Sequence, residues 1–427
     1  MLLLLKNQLV FGRLVDGQFK DEVTDQNGLI INVKRPPRFL LTSGANLQTQ
    51  DLLVGTAPVA VTQYSNVHIS VGDLEYVQSY NALMQNETMK SAASTIAHGV
   101  DKYIAGQTLN FASWVAGTAA GTVSGNASDP TKVIASPSQA MAGHTRLMAQ
   151  GTPNADLSGV VTFDDGQQIR GSLLSDFTPD LNRTALEKVR IPIISEVDWY
   201  ASQQCPSFTT GSRTQGDGSS SGCQINGNSQ NVDYVAVKGS AGVAGMTQNI
   251  NIKGLSTNTV VTGDTFSIQN VYAWDWRAQQ ALSYLQQFTV VGATQTGNGS
   301  GDATLTITPA IIVQGTTDVN GNTYANSAFA TVSAAPVDGA YIKFAGAAST
   351  VLQVKSVFHK RAISLVSARL QMPFTGVASF ATDPDTGISI RYWRGSDITT
   401  GAHVHRWDLI YGASVMDNFL GTRLCGS

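Results

Sequence analysis

The stretch LEYVQSYNALMQNETMKSAASTIAHGVDKYI, residues 74–104, constrains this chain of 427 residues more than any other. It is a run of about thirty helix-compatible positions with no proline, set in a chain that carries 41 glycines and is punctuated by turns on either side. Leu74, Val77, Tyr80, Met84, Met89, Ala93, Ile96, Val100 and Tyr103 recur at steps of three, four or five. That spacing lays one apolar stripe along a helix, interrupted near Gln85 to Thr88. Ser70 or Gly72 can cap it, and Glu75 sits at the positive end of its dipole. At the standard rise such a helix is roughly 45 Å long, more than a small domain needs. The expectation is a strut.

The segment before the helix reads as a ribbon. Asn27-Gly28 marks a turn, and in LIINV the residues Leu29, Ile31 and Val33 alternate at strand period. Two prolines in KRPPRFLL exclude a central strand. The return limb is residues 59–69, where Val59, Val61, Val67 and Ile69 share one parity, and the polar stretch TSGANLQTQDLLVGTA between the limbs is too long for a tight turn. A two-stranded ribbon has no face of its own to bury, so it needs a partner surface. Lys34, Arg35 and Arg38 form one basic cluster on it, readable as a solvated limb or as a contact to a neighbour's carboxylates. With Leu47, Leu52 and Leu53 at the tip and Glu75 and Glu87 on the helix, these are the candidate inter-subunit contacts.

Downstream, residues 107–212 mix short elements. SPSQAMAGHTRLMAQ reads as a helix, GVVTFDD as a strand ending at Asp165-Gly166, and ALEKVRIPIISEVDWYASQQCP as helix, turn and strand with Val197 and Trp199 on one side. Such alternation indicates α+β layers. Composition shifts near residue 212 to a linker-like stretch, and up to about residue 352 short alternating strands broken by Gly and Asn have the spacing of a small all-β barrel or sandwich. Residues 275–287 read as a helix or a loop within it. Mixed α+β character returns at KSVFHKRAISLVSARLQMP, and GISIRYWRGSDITTGAHVHRWDLIYGA closes the chain as a hairpin.

Charged residues make up only 13% of the chain, against about 25% in a typical soluble protein. A surface of uncharged polar groups repels its neighbours weakly and suits a protein that lives packed against others. A net charge of -3 gives no electrostatic reason to grip a phosphate backbone. The opening MLLLLK has an apolar run of four Leu, short of an export signal, and no run reaches the length of a membrane span. Of the three cysteines, Cys205 and Cys223 flank one loop and could pair in an oxidising medium, while free thiols in a reducing cytosol are the expectation.

The motifs that could carry chemistry are weak. GSSSG around Ser220 matches G-x-S-x-G but lies in a linker without the strand and helix that make a nucleophile elbow. His403 and His405 put two imidazoles on one strand face, yet Trp407, Leu409 and Tyr411 continue that parity, so a packed, hydrogen-bonded pair is expected rather than a metal site. In DVNGNTY, Asp318, Asn320 and Asn322 have calcium-loop spacing, but Thr323 replaces the required Gly and Phe329 the closing Glu. GSAGVAG, residues 239–245, has the wrong spacing for a dinucleotide loop. These readings name no catalytic residue, no metal and no cofactor.

Arm, ribbon, long helix, α+β body, inserted β domain and terminal hairpin, taken in that order, resemble the major capsid proteins of tailed bacteriophages, the fold first described in a Hong Kong phage. The chain is most similar to the branch found in Salmonella short-tailed phages, whose coat proteins carry an inserted β-barrel. GLIINVKRPPRFLLTSGANL, SVGDLEYVQSYNALMQ, KVRIPIISEVDWYASQQCPSFTTGS, NTVVTGDTFSIQNV, SVFHKRAISLVSARLQMP, SIRYWRGSDI and WDLIYG carry the likeness in colinear order. The resemblance implies an N-terminal arm at 1–28, an extended loop at 29–71 that laps over the adjacent subunit, a spine helix at 72–106, an axial and peripheral α+β body at 107–212, an inserted β-barrel at 213–352, and a return to that body with the C-terminal hairpin at 353–427. Within the return, residues 353–400 are similar to the axial domain. It implies self-assembly into hexameric and pentameric capsomers of an icosahedral virion shell enclosing double-stranded DNA. A separate scaffolding protein is implied because fewer than thirty residues precede the loop, together with a portal protein, a decoration protein as an option, no membrane, and assembly in the bacterial host cytoplasm. The other reading of the Gly, Ser, Thr and Asn richness is an extracellular β-rich adhesin or fibre protein.

Overall fold

The computed structural model describes residues 2–17, 30–34, 38–41, 56–72, 82–116, 134, 137–176, 191, 193–214, 216, 222–228, 230–232, 246–316, 327–374, 376–397 and 399–425. The chain divides into two compact units, one of residues 1–33, 58–107 and 363–416, the other of 34–57, 108–362 and 417–427.

The first unit is built on the helix Ala82–Gln107, the described part of the strut. Its inward face is Ala93, Ile96, Ala97, Val100, Ile104 and Ala105, all buried at helical spacing. Met89, expected on that face, is 37% exposed, and residues 73–81 of the expected strut lie outside the described residues. Two short helices, Leu2–Gln8 and Phe11–Leu14, precede it, with Leu5, Leu9 and Phe11 buried. The four-Leu opening is therefore the start of a helix.

Strand Ile30–Lys34 pairs with Thr56–Ala60. Ile31, Val33, Val59 and Val61 bury together with Val366, as the alternation predicts. The return limb, however, does not stay in a two-stranded ribbon. It breaks at Val61 and Thr62, and Gln63–Gly72 then pairs along its whole length with the C-terminal strand Ala402–Val415. That strand also pairs with Ile363–Ala368 and with Ser389–Asp397, which is edged by Val377–Thr382. Residues 63–72 thus belong to this sheet, with Val71 buried and the rest of the strand half-buried or exposed. The stretch 353–400, similar to one axial body by resemblance, divides at Ile363, after which the chain groups with the long helix.

In the second unit a five-stranded sheet runs Ser113–Ala116, Gly421–Cys425, Lys355–His359, Leu157–Val161, Asp198–Ala201. Helix Pro137–Ala149 packs on it, Gly143 lying against Leu424 and Val357. Val197 and Trp199 are buried while Asp198 and Tyr200 are less so, as read from the sequence. GVVTFDD departs from its reading, because the strand ends at Val161 and Phe163–Asp176 is a helix. The Thr162 hydroxyl accepts from the Asp165 N–H at 3.2 Å and the Asp165 carboxylate accepts from the Thr162 N–H at 3.2 Å, a reciprocal cap that starts a helix.

The inserted segment forms a six-stranded sheet in the order Ile342–Phe344, Thr265–Asp275, Gln280–Val290, Ala303–Thr308, Gln248–Lys253, Gln224–Ile225. Gln224 bridges Tyr341, which brings the first and last strands together and nearly closes a barrel. Phe266, Phe288 and Phe344 fill it with Ile250, Ile252, Leu305 and Ile307. Residues 275–287 are neither helix nor loop. They are the end of one long strand, a turn nucleated by the Asp275 carboxylate accepting from the Arg277 and Ala278 N–H groups, and most of the next strand. The Ala, Leu and Gln content favours helix locally, but Phe288 and Val290 belong in the barrel core and strands on both sides claim the backbone.

Candidate functional site

Of the eight contact candidates, two have described side chains. Arg35, Leu47, Leu52, Leu53 and Glu75 lie outside the described residues, and Lys34 is placed only as the end of its strand. Arg38 turns inward within its own unit. Its Nη2 is 3.8 Å from the Asp417 carboxylate, and its guanidinium lies 4.9 Å from the Trp276 ring centroid and 5.8 Å from that of Phe329. Leu40 packs on the cluster of Met246, Ala310, Ile312, Ala328 and Phe329, whereas Leu41 is wholly exposed. Arg38 thus meets a carboxylate and two rings of its own chain, so it is not a solvated charge.

Glu87 belongs to the other unit and pairs with Lys90 at 2.8 Å across one helical turn. Both are exposed, and such a pair contributes only about 0.3–0.5 kcal/mol.

Polar groups that the sequence did not single out are buried in both units. Arg213 and Asp264 meet at 2.8 Å with neither side chain exposed. Burial pushes the Asp264 carboxyl upward, and Arg213 opposes that shift. Lys355 reaches the Asp165 carboxylate at 3.3 Å, and Asp165 also accepts from the Ile134 N–H at 2.6 Å. Cys205, in the field of Asp165, has its thiol pushed up to about 12, chiefly by burial. Cys205 and Cys223 are both free and buried, and Cys425 lies outside the described side chains. A thiol held so high is a poor nucleophile.

In the first unit Asp101, on the long helix, accepts from the N–H groups of Val10 at 2.7 Å and Gly12 at 3.0 Å, tying the arm to the strut. Burial raises its carboxyl to about 6 against the pull of those donors and of His98. Asp408 is enclosed between Arg391 and Arg406, each at 2.6 Å, and both guanidinium groups reach the Tyr64 hydroxyl. An acid between cations was traceable in R-Y-W-R and H-R-W-D, but pairing two strands was needed to bring them together.

The histidine pair is hydrogen-bonded, as expected. His405 Nδ1 is 2.6 Å from the Tyr392 hydroxyl and His403 Nδ1 is 3.1 Å from Ser396 Oγ, with Trp407, Leu409 and Tyr411 buried on the same face. Among the described residues no cluster of His, Cys, Asp or Glu could hold a metal ion. Ser220, the DVNGNTY stretch and GSAGVAG lie outside the described residues. A second serine, which no sequence motif marks, also faces a histidine. Ser195 Oγ is 2.9 Å from His144 Nδ1, and His144 Nε2 is 2.8 Å from Asn154 Oδ1. His144 is half-buried and Asn154 exposed, and the set ties the turn Ile194–Val197, with positive φ at Ser195 and Glu196, to the helix Pro137–Ala149.

The profile of the family described as "P22 coat protein - gene protein 5" matches residues 6–426 of this chain. A search of curated proteins finds no match. Among solved structures, the capsid of Ralstonia phage GP4 is 7% identical, with 98% of this chain and 88% of that chain covered at a TM-score of 0.47. A Mycobacterium phage Che8 structure is 11% identical, with 97% and 90% covered at 0.45. The CUS-3 coat protein I-domain is 24% identical over 29% of this chain and 93% of its own, at 0.20.

Proposed function

The chain belongs to the P22 coat protein family, and from that premise we propose how this major capsid protein of a tailed bacteriophage builds its shell. The observation that carries the reading is the family match over residues 6–426, which leaves only the extreme ends of the chain unaccounted for. A capsid protein assembles with copies of itself into capsomers. The finer proposal is that these are hexamers and pentamers of an icosahedral container for double-stranded DNA, assembled in the host cytoplasm with a separate scaffolding protein and a portal. The work of the protein then resides in shape and interfaces, not in a catalytic residue. Each interface contributes a few kcal/mol, and multivalency stabilises the closed shell. A surface with few charges holds packaged DNA weakly and does not impede its entry.

Within this reading the segment between strands Ile30–Lys34 and Thr56–Ala60 laps a neighbouring subunit through Leu47, Leu52 and Leu53, with Lys34, Arg35 and Glu75 as further contacts. Exposed Phe39 and Leu41, which alternate with inward Arg38 and Leu40, support an outward apolar edge at the start of that segment. The test is negative-stain electron microscopy with sedimentation, on the protein alone and with candidate scaffolding proteins from its genome neighbourhood. Closed shells, tubes or spirals of capsomers are the expected result, and a stable monomer in every condition overturns the proposal.

A further inference from the structure

The second unit contains a cavity of about 370 Å³ on the outer face of the barrel sheet, lined by Arg146, Ser267, Gln269, Tyr284, Gln287 and Lys343 among others. Strand alternation makes its floor polar. Phe266 and Ile268 point into the barrel core, so Ser267 and Gln269 point out, and Ser267 stands opposite Lys343 on one neighbouring strand and opposite Gln287 on the other. None of the lining residues is acidic.

Arg146 comes to this floor from the last turn of the helix Pro137–Ala149 and is only 2% exposed. Its guanidinium stacks 3.7 Å from the Tyr284 ring centroid. Its Nη2 is 3.5 Å from Gln287 Oε1, an oxygen that already accepts from the Trp114 N–H at 3.0 Å, and its Nε has no partner. The other buried arginines of this unit, Arg213 and Arg423, also leave Nε without a partner, but their Nη groups are better satisfied. Arg213 faces Asp264 and donates to the Ala345 carbonyl, while Arg423 donates to the Gly263 carbonyl and to the hydroxyls of Thr265 and Thr289. A guanidinium stays charged, and enclosing one without an anion is costly, a cost that a ring contact offsets only in part.

We propose that this cavity is a binding site for a small oxyanion of the phosphate or carboxylate class, with Arg146 as its fixed fork and Lys343 as a second cation. A guanidinium presents paired N–H groups that match two oxygens of such an anion, and its stacking on Tyr284 holds the fork in place. The Ser267 hydroxyl and Gln269 amide supply neutral donors beside it. The volume is about ten times a water's share of the liquid, enough for one such anion with part of its hydration. All its residues lie in one unit of a single chain.

The test is isothermal titration calorimetry of the full chain with inorganic phosphate, and separately with acetate, at ionic strength held constant with chloride, alongside thermal melting. The expected result is one saturable site for at least one of the two anions and a rise in Tm that chloride does not reproduce. Lys343→Gln, an exposed change, should keep the Tm in chloride and weaken binding on the order of threefold. Arg146→Met should abolish the anion-dependent rise. A response equal to that of chloride overturns the proposal. So does wild-type affinity in Lys343→Gln, which decides the matter alone if Arg146→Met does not fold.

Discussion

Arg213 Nη1 lies 2.8 Å from Asp264 Oδ1 with both side chains fully enclosed, and Arg213 Nη2 donates to the Ala345 carbonyl at 2.6 Å. Removing the cation alone leaves a buried carboxylate held only by the Val261 and Gly211 N–H groups, so Arg213→Met should destabilise the chain by about 3–5 kcal/mol. Adding Asp264→Asn should recover a large part of that loss. Urea unfolding of the single and double variants measures both, and a single variant as stable as wild type would show that the pair is dispensable.

Asp101 gives a pH dependence whose sign is fixed by burial. Its folded carboxyl titrates at about 6 and an unfolded one at about 3.9, so between these values the folded state holds the extra proton. Its contribution is fully present below about pH 4 and is lost as pH rises through about 6, a change of about 3 kcal/mol at 1.36 kcal/mol per unit. Unfolding free energies of wild type and Asp101→Asn, compared at pH 4 and pH 7, should differ in the wild type's favour more at the lower pH. A constant difference would refute the assignment.

A methyl group at Gly159 would stand 2.5 Å from Trp199 Cε3, because the two residues are paired on adjacent parallel strands and the indole lies across the glycine. Gly159→Ala should cost about 1–3 kcal/mol by overpacking. Its reading is the thermal midpoint, together with a change in the fluorescence of the buried Trp199.

Deleting residues 42–57 should leave a folded monomer that assembles poorly. That range includes the end of the strand pair at Thr56–Ala60, so a second variant, Leu52→Asp with Leu53→Asp, keeps the backbone intact. Sedimentation and negative-stain microscopy read the outcome, and normal shells from both variants would remove the lapping role.

The strut was legible because a period of 3.6 residues is a local signal, and Ile96, Val100 and Ile104 obey it. The alternation of Ile31 with Val33 and of Val59 with Val61 was legible for the same reason. Asp101 was not, since an acid inside an apolar stripe reads as noise until the arm's N–H groups are brought to it from ninety residues away. Arg146 was equally silent, as its meaning depends on Tyr284 and Lys343 from distant strands. The hairpin through Asp275 was misread because its second strand is composed of helix-forming residues.

By itself the sequence determined the kind of element at most positions, the sparsely charged surface and the family, all of which follow from neighbours along the chain or from colinear motifs. Only the tertiary structure decided that Gln63–Gly72 joins the C-terminal strand, that the inserted strands nearly close on themselves, and which buried charges meet a partner. The physical reason is common to these cases. Strand partners and buried ion pairs are contacts between residues far apart in sequence, chosen by which arrangement buries the most apolar surface while leaving the fewest polar groups unpaired.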